Sequence, residues 1–476
     1  MDTRNVDVAI IGAGTAGLNA RRAVEKQGGR PLLIEGGAYG TTCARVGCMP
    51  SKLLIAAAEA AHAVAGAALF GVQATARIDG RAVMARLQRE RDSFVAGVVK
   101  GTERIPADQR LLGQARFTGP TTLEVGGHTR VQARAVVVAT GSAPFVPPPF
   151  AAVREHVLTS DTIFDLPDLP ESLAVIGTGI IALELGQAMQ RLGVRVVFFS
   201  PFDDVGPLTD PEVARVARHA FTQELDLRLK TEMLDATPEA GGLLLRWRTA
   251  DGAERQEQFC QVLVAAGRRP NLQGLDLAAS GLALDDKGMP AVDAATAQCG
   301  DAPIFLAGDV AGHIPLLHEG ADEGRIAGDN ALRWPDVQRQ ARRTPLSIAF
   351  TDPQIAMVGL HHDQLPADCS TIGEVSFEKQ GRARVIGRNR GLLRVYADRR
   401  DGVLLGAEMA GPGAEHLAHL LAWAVQQRMT VPQALTMPFY HPVLEEGLRE
   451  ALRDLAGRLR MLGACRVQDL AESPGS

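Results

Sequence analysis

Aromatic side chains are scarce in this 476-residue chain, only 4% of the total, and so is any uninterrupted apolar run. The longest Ala-rich stretch, Leu53 to Phe70, is broken by Glu59 and His62, so it reads as a helix of a water-soluble protein and not as a membrane span. An excess of one charge is missing too: 50 basic residues face 55 acidic ones. That argues against a nucleic-acid footprint and against a polybasic membrane anchor. Six cysteines are too few for a disulfide scaffold. A secretory pattern is also absent, because the first apolar run, Val6 to Ile11, is short and opens a motif. Cytoplasm is the expected compartment. In that reducing environment a close pair of cysteines is expected to carry redox chemistry and not to hold the fold.

Glycine is plentiful. Fifty of them suit a chain that brings its backbone close to phosphates at several places, and the length calls for two to four domains. The most informative feature is an internal repeat. VDVAIIGAGTAGLNA begins at Val6 and SLAVIGTGIIALELG at Ser172. Each is an apolar strand, a Gly-x-Gly turn and an apolar helix start, the order required of a βαβ nucleotide-binding unit. Gly12 and Gly177 make the tight turns, and Gly14 and Gly179 let the backbone approach a pyrophosphate at a helix N-terminus. Gly17 takes the third, packing position, where the second copy has Ala182. A second strand follows each turn at equal distance, PLLIE ending at Glu35 and VRVVFFS ending at Ser200. The acid expected to hold a ribose is therefore present in the first copy only.

Between the copies, RAVVVATGSAP (134–144) reads as a buried strand and Gly turn, echoed by QVLVAAGRRPN (261–271), and APIFLAGDVAG (302–312) as a third. The Pro-rich link at 144–150 and the turn near Pro270 mark borders. The expected division is a first nucleotide domain over 1–148, a second over 149–270, and the first resuming over 271–343. After residue 344 the texture changes to alternating strands (SIAF, ARVIG, LLRVYAD, GVLLGAEMAG), a helix near 415–427, and a last helix with Leu444, Leu448, Leu452, Leu455 and Leu459 on one stripe. This reads as an α+β domain over 344–476.

Cys43 and Cys48 stand in YGTTCARVGCMPSK. Five steps along a regular helix rise about 7.5 Å, beyond the usual Cα separation of a disulfide. Closure needs a loop or a broken helix, which Gly47 permits, and Pro50 suits the first turn of a following helix. On spacing alone, two unpaired structural thiols stay the alternative.

CARVGCMPSK resembles the C-x4-C-x-P-S-K signature of the flavin disulfide (pyridine nucleotide-disulfide) oxidoreductases. GDVAGHIPLLHEGADEG is similar to their flavin-contacting segment, and FYHPVLEEG to their C-terminal His-Pro-x-x-x-Glu. The features run in family order from about residue 6 to 460, and the chain looks most like the dihydrolipoamide dehydrogenase type. The resemblance implies an α/β enzyme with two Rossmann-like domains, the first discontinuous, and a C-terminal α+β dimerisation domain. It implies FAD and NAD, with Cys43 the thiol that meets substrate and Cys48 the thiolate against the flavin. Gly12, Gly14, Gly17, Glu35 and Thr42 would hold FAD, Glu35 at the ribose. Thr140, Gly141 and Asp309 would join them, Asp309 at the ribityl chain, with Leu316, Leu317 and His318 at the ring's far edge. Lys52, near the flavin's reactive nitrogen, would pair with Glu184. Gly177, Gly179, Glu184, Ser200 and Gly267 would face NAD. His441, oriented by Glu446, would be the acid–base group, reaching the disulfide of the other subunit of a homodimer.

Other residues are set aside. His361-His362 reads as an exposed loop with no third ligand and hence no metal site; Cys260, Cys299, Cys369 and Cys465 as lone thiols; and GRARVIGRNR as a solvated strand face. Ala44-Arg45 replaces the family's common Leu-Asn, and Arg45 is expected to put charge beside the disulfide. A tail with one cysteine disfavours mercuric reductase, and Pro-Ser-Lys disfavours glutathione-reductase-like enzymes. The expected activity is oxidation of a dihydrolipoyl-type dithiol by NAD+, in a cytoplasmic homodimer that could serve a 2-oxo acid dehydrogenase complex. The rivals are an NAD(P)H-dependent reductase of another small disulfide and a nucleotide-sensing flavoprotein. NAD is expected over NADP, because Asp203 and Asp204 follow Ser200 with no Lys or Arg beside them.

Overall fold

The computed structural model describes residues 2–460. The strand Asp2–Ile11 lies between Pro31–Glu35 and Thr129–Val138, parallel to both. Arg110–Leu112 extends one edge, and Ile304–Leu306 returns from far along the chain to pair with Thr129–Val138. Strands covered on both faces must be apolar throughout, and Val8, Ala9 and Ile10 are fully buried. On one face the helices Thr15–Lys26 and Leu317–Arg333 touch backbone to backbone. A Cβ at Gly324 or Gly328 would strike the Ala16 or Ala20 main chain, so only glycine permits that approach.

A second parallel sheet runs in the order Asp226–Arg228, Arg195–Phe199, Ser172–Ile176, Gln261–Val264, Val157–Leu158. An antiparallel trio, Glu232–Glu239, Gly242–Arg248 and Glu254–Phe259, packs Leu245, Trp247 and Phe259 against its Phe199 side. A two-stranded ladder, Ser142–Pro144 with Arg268–Pro270, connects the two nucleotide units.

The third sheet is antiparallel and five-stranded, with the helices Ala414–Gln426 and Glu445–Arg458 upon it. Leu448, Leu452 and Leu455 are buried in its core, so the leucine stripe is core packing. One expected strand is corrected: ARVIG falls in the helix Gly381–Val385. Gln380 caps it, its side chain accepting from the Ala383 amide at 2.7 Å, and only Ala383 points inward. GRARVIGRNR is thus a helical turn and loop. Two strands that the sequence did not suggest, Gln354–Gly359 and Ser370–Ser376, complete the sheet.

This domain grips the second nucleotide unit through buried acids. Asp210 caps the helix Pro211–Thr222 and accepts from both Arg394 Nη1 (2.8 Å) and Tyr396 Oη (2.9 Å). Glu408, equally buried, accepts from the Asp210, Thr209 and His362 amides. His361-His362 is accordingly half-buried at a short turn and not a free loop, with His362 Nε2 4.0 Å from Asp210. Asp210→Ala removes the cap of the helix Pro211–Thr222 and the acceptor of the buried Tyr396 hydroxyl, and leaves Arg394 to Glu374 alone, a loss of about 3–5 kcal/mol. Thermal unfolding should show a midpoint lowered by several degrees, with Asp210→Asn in between.

Candidate active site

Gly12 holds φ +108°, and a Cβ there would strike the Ala139 carbonyl. Gly17 lies so close to the Gly12 carbonyl that it too has no room for a side chain. Gly14 precedes the helix Thr15–Lys26 with open space before it and no side-chain cap. Its orphan amides need an acceptor, and an anion at the positive end of the dipole meets that need. Glu35 is fixed alongside, one oxygen accepting from the Ala13 amide at 2.7 Å and the other from Gly37 at 2.9 Å. Gly12, Gly14 and Glu35, with Thr42, Thr140 and Gly141, line a cavity of about 710 Å³. A pyrophosphate at the helix end and a ribose at Glu35 suit it, so the residues fit FAD.

The second cradle repeats the first. Gly177 has φ +114°, Gly179 opens the helix Ile180–Arg191 without a side-chain cap, and Ala182 fills the packing position. Gly267, φ +109°, accepts at its carbonyl from the Phe145 amide. Ser200 differs from expectation. It is 1% exposed, and its hydroxyl accepts from the Phe202 amide (3.1 Å) and donates to the Thr178 hydroxyl oxygen (3.3 Å). It faces inward. The expected lack of cations beside it is also corrected, since Arg218 and Lys230 both reach Asp203.

The redox segment has the break that pairing of its two cysteines would need. A helix over Thr42–Val46 stops at Gly47, whose φ −127°, ψ −118° is not helical, and a new helix starts as Cys48–Ala65. Both cysteines are thiols, and they are not equivalent. The Cys43 thiol donates to Cys48, and Lys52 adds its charge; against the opposing cost of burial these bring the Cys48 thiol down to about 6. The same hydrogen bond, then burial, push Cys43 far above the ordinary thiol range. Cys48 is the standing thiolate and Cys43 keeps the proton.

Lys52 Nζ lies 2.8 Å from a buried Glu184 oxygen and over the Phe350 ring. The other Glu184 oxygen accepts from the Phe350 amide at 2.8 Å. Cys48, Lys52, Glu184, Asp309 and the 316–318 turn line one cavity of about 410 Å³. A smaller one, about 160 Å³, bears Cys43 and shares Gly14, Gly141, Cys48 and Asp309 with its larger neighbours. Asp309 accepts from Ser142 at 2.7 Å, and Thr140 donates to the Asn271 carbonyl. The helix Leu317–Arg333 opens at Leu316, again without a side-chain cap.

Three lining groups escaped the sequence reading. Phe350 acts through its amide and ring, and Arg268 clamps Ser142 and Ser160. His419 enters from the helix Ala414–Gln426. Only Arg268 had a signal, its place in the echoed GRRPN turn. Arg45 departs from expectation: its guanidinium turns back to the Ala38 carbonyl at 3.1 Å. His441 Nδ1 is 3.1 Å from both Glu446 oxygens, and Glu446 also accepts from the Val443 amide and Arg449. His441 is not among the residues lining the cavity that holds Cys48. The Cys299 thiol is pushed by burial up to about 12. Cys465 and the tail lie outside the described residues.

The segment Thr42–Phe70 is long and apolar enough, by length and composition, to cross a membrane. Its Leu54, Ala58 and Ala61 nevertheless belong to the core that holds the helix Ile180–Arg191.

Residues 6–324 match the pyridine nucleotide-disulphide oxidoreductase family and 346–452 its dimerisation domain, which supports a homodimer. A relative named dihydrolipoyl dehydrogenase 3, from Pseudomonas aeruginosa, is 33% identical over 95% of this chain and 98% of its own. A mercuric reductase from Streptomyces lividans is 32% identical over 96% and 98%. Among solved structures, LpdA from Mycobacterium tuberculosis superposes with a TM-score of 0.81 at 26% identity, over 94% of this chain and 99% of its own. The chain belongs to the pyridine nucleotide-disulphide oxidoreductase family, as a flavin disulfide oxidoreductase of the dihydrolipoyl dehydrogenase-like kind that uses FAD and NAD(H).

Proposed function

We propose that the enzyme oxidises a dihydrolipoyl-type dithiol with NAD+, working as a cytoplasmic homodimer with Cys43 and Cys48 as its relay. The observation that carries this reading is the placement of the pair: the helix break at Gly47 sets Cys48 in one cavity with Lys52, which lies 2.8 Å from Glu184, and with Asp309 and residues 316–318. In the oxidised pair, a substrate thiolate attacks the Cys43 sulfur and the Cys43–Cys48 bond breaks, with Cys48 departing as the anion that Lys52 favours. The second substrate thiolate then attacks the sulfur joined to Cys43. The substrate leaves as a disulfide, and two electrons stay on the cysteine pair. His441 takes the proton from the first attacking thiol and passes it to Cys43, then takes that of the second thiol and keeps it as the counter-charge of the Cys48 thiolate, with Glu446 fixing its tautomer. Bound FAD supplies the two-electron carrier between that pair and NAD+, which leaves as NADH.

In this reading Glu35, Gly12, Gly14, Thr140, Gly141 and Asp309 hold FAD, with the 316–318 turn at its far edge. Glu184 holds Lys52 in place. The purified dimer is expected to be yellow, with one FAD per chain. A panel of dithiols, assayed with NAD+ under one set of conditions, tests the substrate. Dihydrolipoamide is expected to show the highest kcat/KM. Another dithiol better by tenfold would overturn the assignment while leaving the relay intact.

A further inference from the structure

The loop 200–206 is tied to the second phosphate turn, since Thr178 donates its hydroxyl to the Asp204 carbonyl (2.7 Å) and accepts from the Gly206 amide (2.8 Å). In such a unit the end of the second strand is where a bound nucleotide presents its ribose. A 2′-hydroxyl needs an acceptor there, and a 2′-phosphate needs cations. Ser200 is buried and already bonded, so it makes neither choice.

Two cations converge on this loop from other elements. Arg218 stands on the helix Pro211–Thr222, and Lys230 follows the strand Asp226–Arg228. Arg218 Nη1 lies 2.7 Å from one Asp203 oxygen and Lys230 Nζ 2.9 Å from the other. The Lys230 amide also donates to the Phe202 carbonyl. One carboxylate thus engages both cations, the arrangement in which a phosphate would engage them. The hydrogen bond from Lys230, then that from Arg218, hold the Asp203 carboxyl below its usual range, so it stays ionised wherever the enzyme works.

We propose that Asp203 sets the nucleotide preference: as the chain's own anion it occupies Arg218 and Lys230, which would otherwise receive a 2′-phosphate. NAD preference here is then a matter of cations already engaged, and one substitution releases them.

Calorimetric titration with adenosine 2′,5′-bisphosphate and with AMP tests this without the dithiol. Asp203→Ala is expected to tighten the bisphosphate about 5- to 10-fold, the scale of two exposed charge pairs, and to leave AMP within about twofold. The gain should shrink at high salt and vanish when Lys230→Ala and Arg218→Ala are added. Reduction of ferricyanide by NADPH, which needs no dithiol, should rise in parallel. Unchanged bisphosphate affinity overturns the proposal, as does an equal gain for AMP or a gain that survives loss of both cations. Each reading is independent of the dithiol panel, so the two ideas fail separately.

Discussion

Changing His441 to Gln lowers dithiol oxidation by at least ~100-fold, the scale for losing an acid–base group, while flavin-to-acceptor side activities persist. The tautomer is the reason. Carboxylate oxygens only accept, so with Nδ1 at 3.1 Å from both oxygens of Glu446 it must carry the hydrogen. Nε2 is thereby left with its lone pair outward. Glu446 is itself held by the Val443 amide and Arg449, so the imidazole is aimed as well as polarised. Glutamine at 441 can occupy the space but cannot take a proton. Ferricyanide draws electrons without passing through the cysteines, and so its reduction reports FAD loading and folding. Glu446→Gln should be milder, since an amide oxygen can still accept from Nδ1 and hold the ring while only the carboxylate charge and its second acceptor are lost. The His441 ring is half exposed and does not line the cavity of its own Cys48, which suits service to a second chain. Mixed dimers of Cys43→Ser with His441→Gln should therefore regain one working site in two. No rescue would place the site within one chain.

The two nucleotide units were legible because their demands fall on residue identity. A turn with φ above +100° that also touches a neighbouring carbonyl admits only glycine, and that need writes Gly12 and Gly177 into the sequence. The break at Gly47 follows from helix geometry once the resemblance pairs the two cysteines, because six residues of unbroken helix hold them too far apart. What escaped was carried by backbone or by folding of distant segments. Any residue at 350 could offer Glu184 the same amide, so Phe350 left no trace. Ser200 looked like a ribose contact by position along the strand, but its loop turns the hydroxyl inward to cap Phe202. Arg218 and Lys230 stand well beyond Asp203 in sequence, so their approach to it exists only in three dimensions. ARVIG failed for a different reason. Five residues, most of them apolar, satisfy a short strand and a single helical turn alike, and the Gln380 cap decides between them.

Replacing Cys43 by Ser is expected to abolish dithiol turnover and to leave Cys48 as a standing thiolate in the FAD-loaded protein, visible without any reductant as a long-wavelength band. Loss of turnover follows because no sulfur remains at 43 for the substrate to attack. The persistence of the thiolate is the sharper claim. Cys48 is held at about 6 first by the hydrogen bond from residue 43 and then by the charge of Lys52, against the cost of burial and the nearby Glu184 carboxylate. Serine retains a donor at the same place, so the largest stabilising contact survives in kind. At neutral pH, one unit above that value, thiolate should outnumber thiol about tenfold. The sign follows from a lowered pKa: the band is full above neutrality and fades as pH falls through about 6. Adding Lys52→Met removes a cation and leaves Glu184 bonded only to the Phe350 amide. Both changes disfavour the anion, and the midpoint should rise by about one unit or more. Absorbance followed from pH 5 to 9 in the single and double variants decides the matter. A midpoint near the ordinary thiol value of 9.0 in Cys43→Ser would mean that residue 43 and Lys52 do not hold the charge at Cys48, and the unequal pair on which the relay depends would have to be given up.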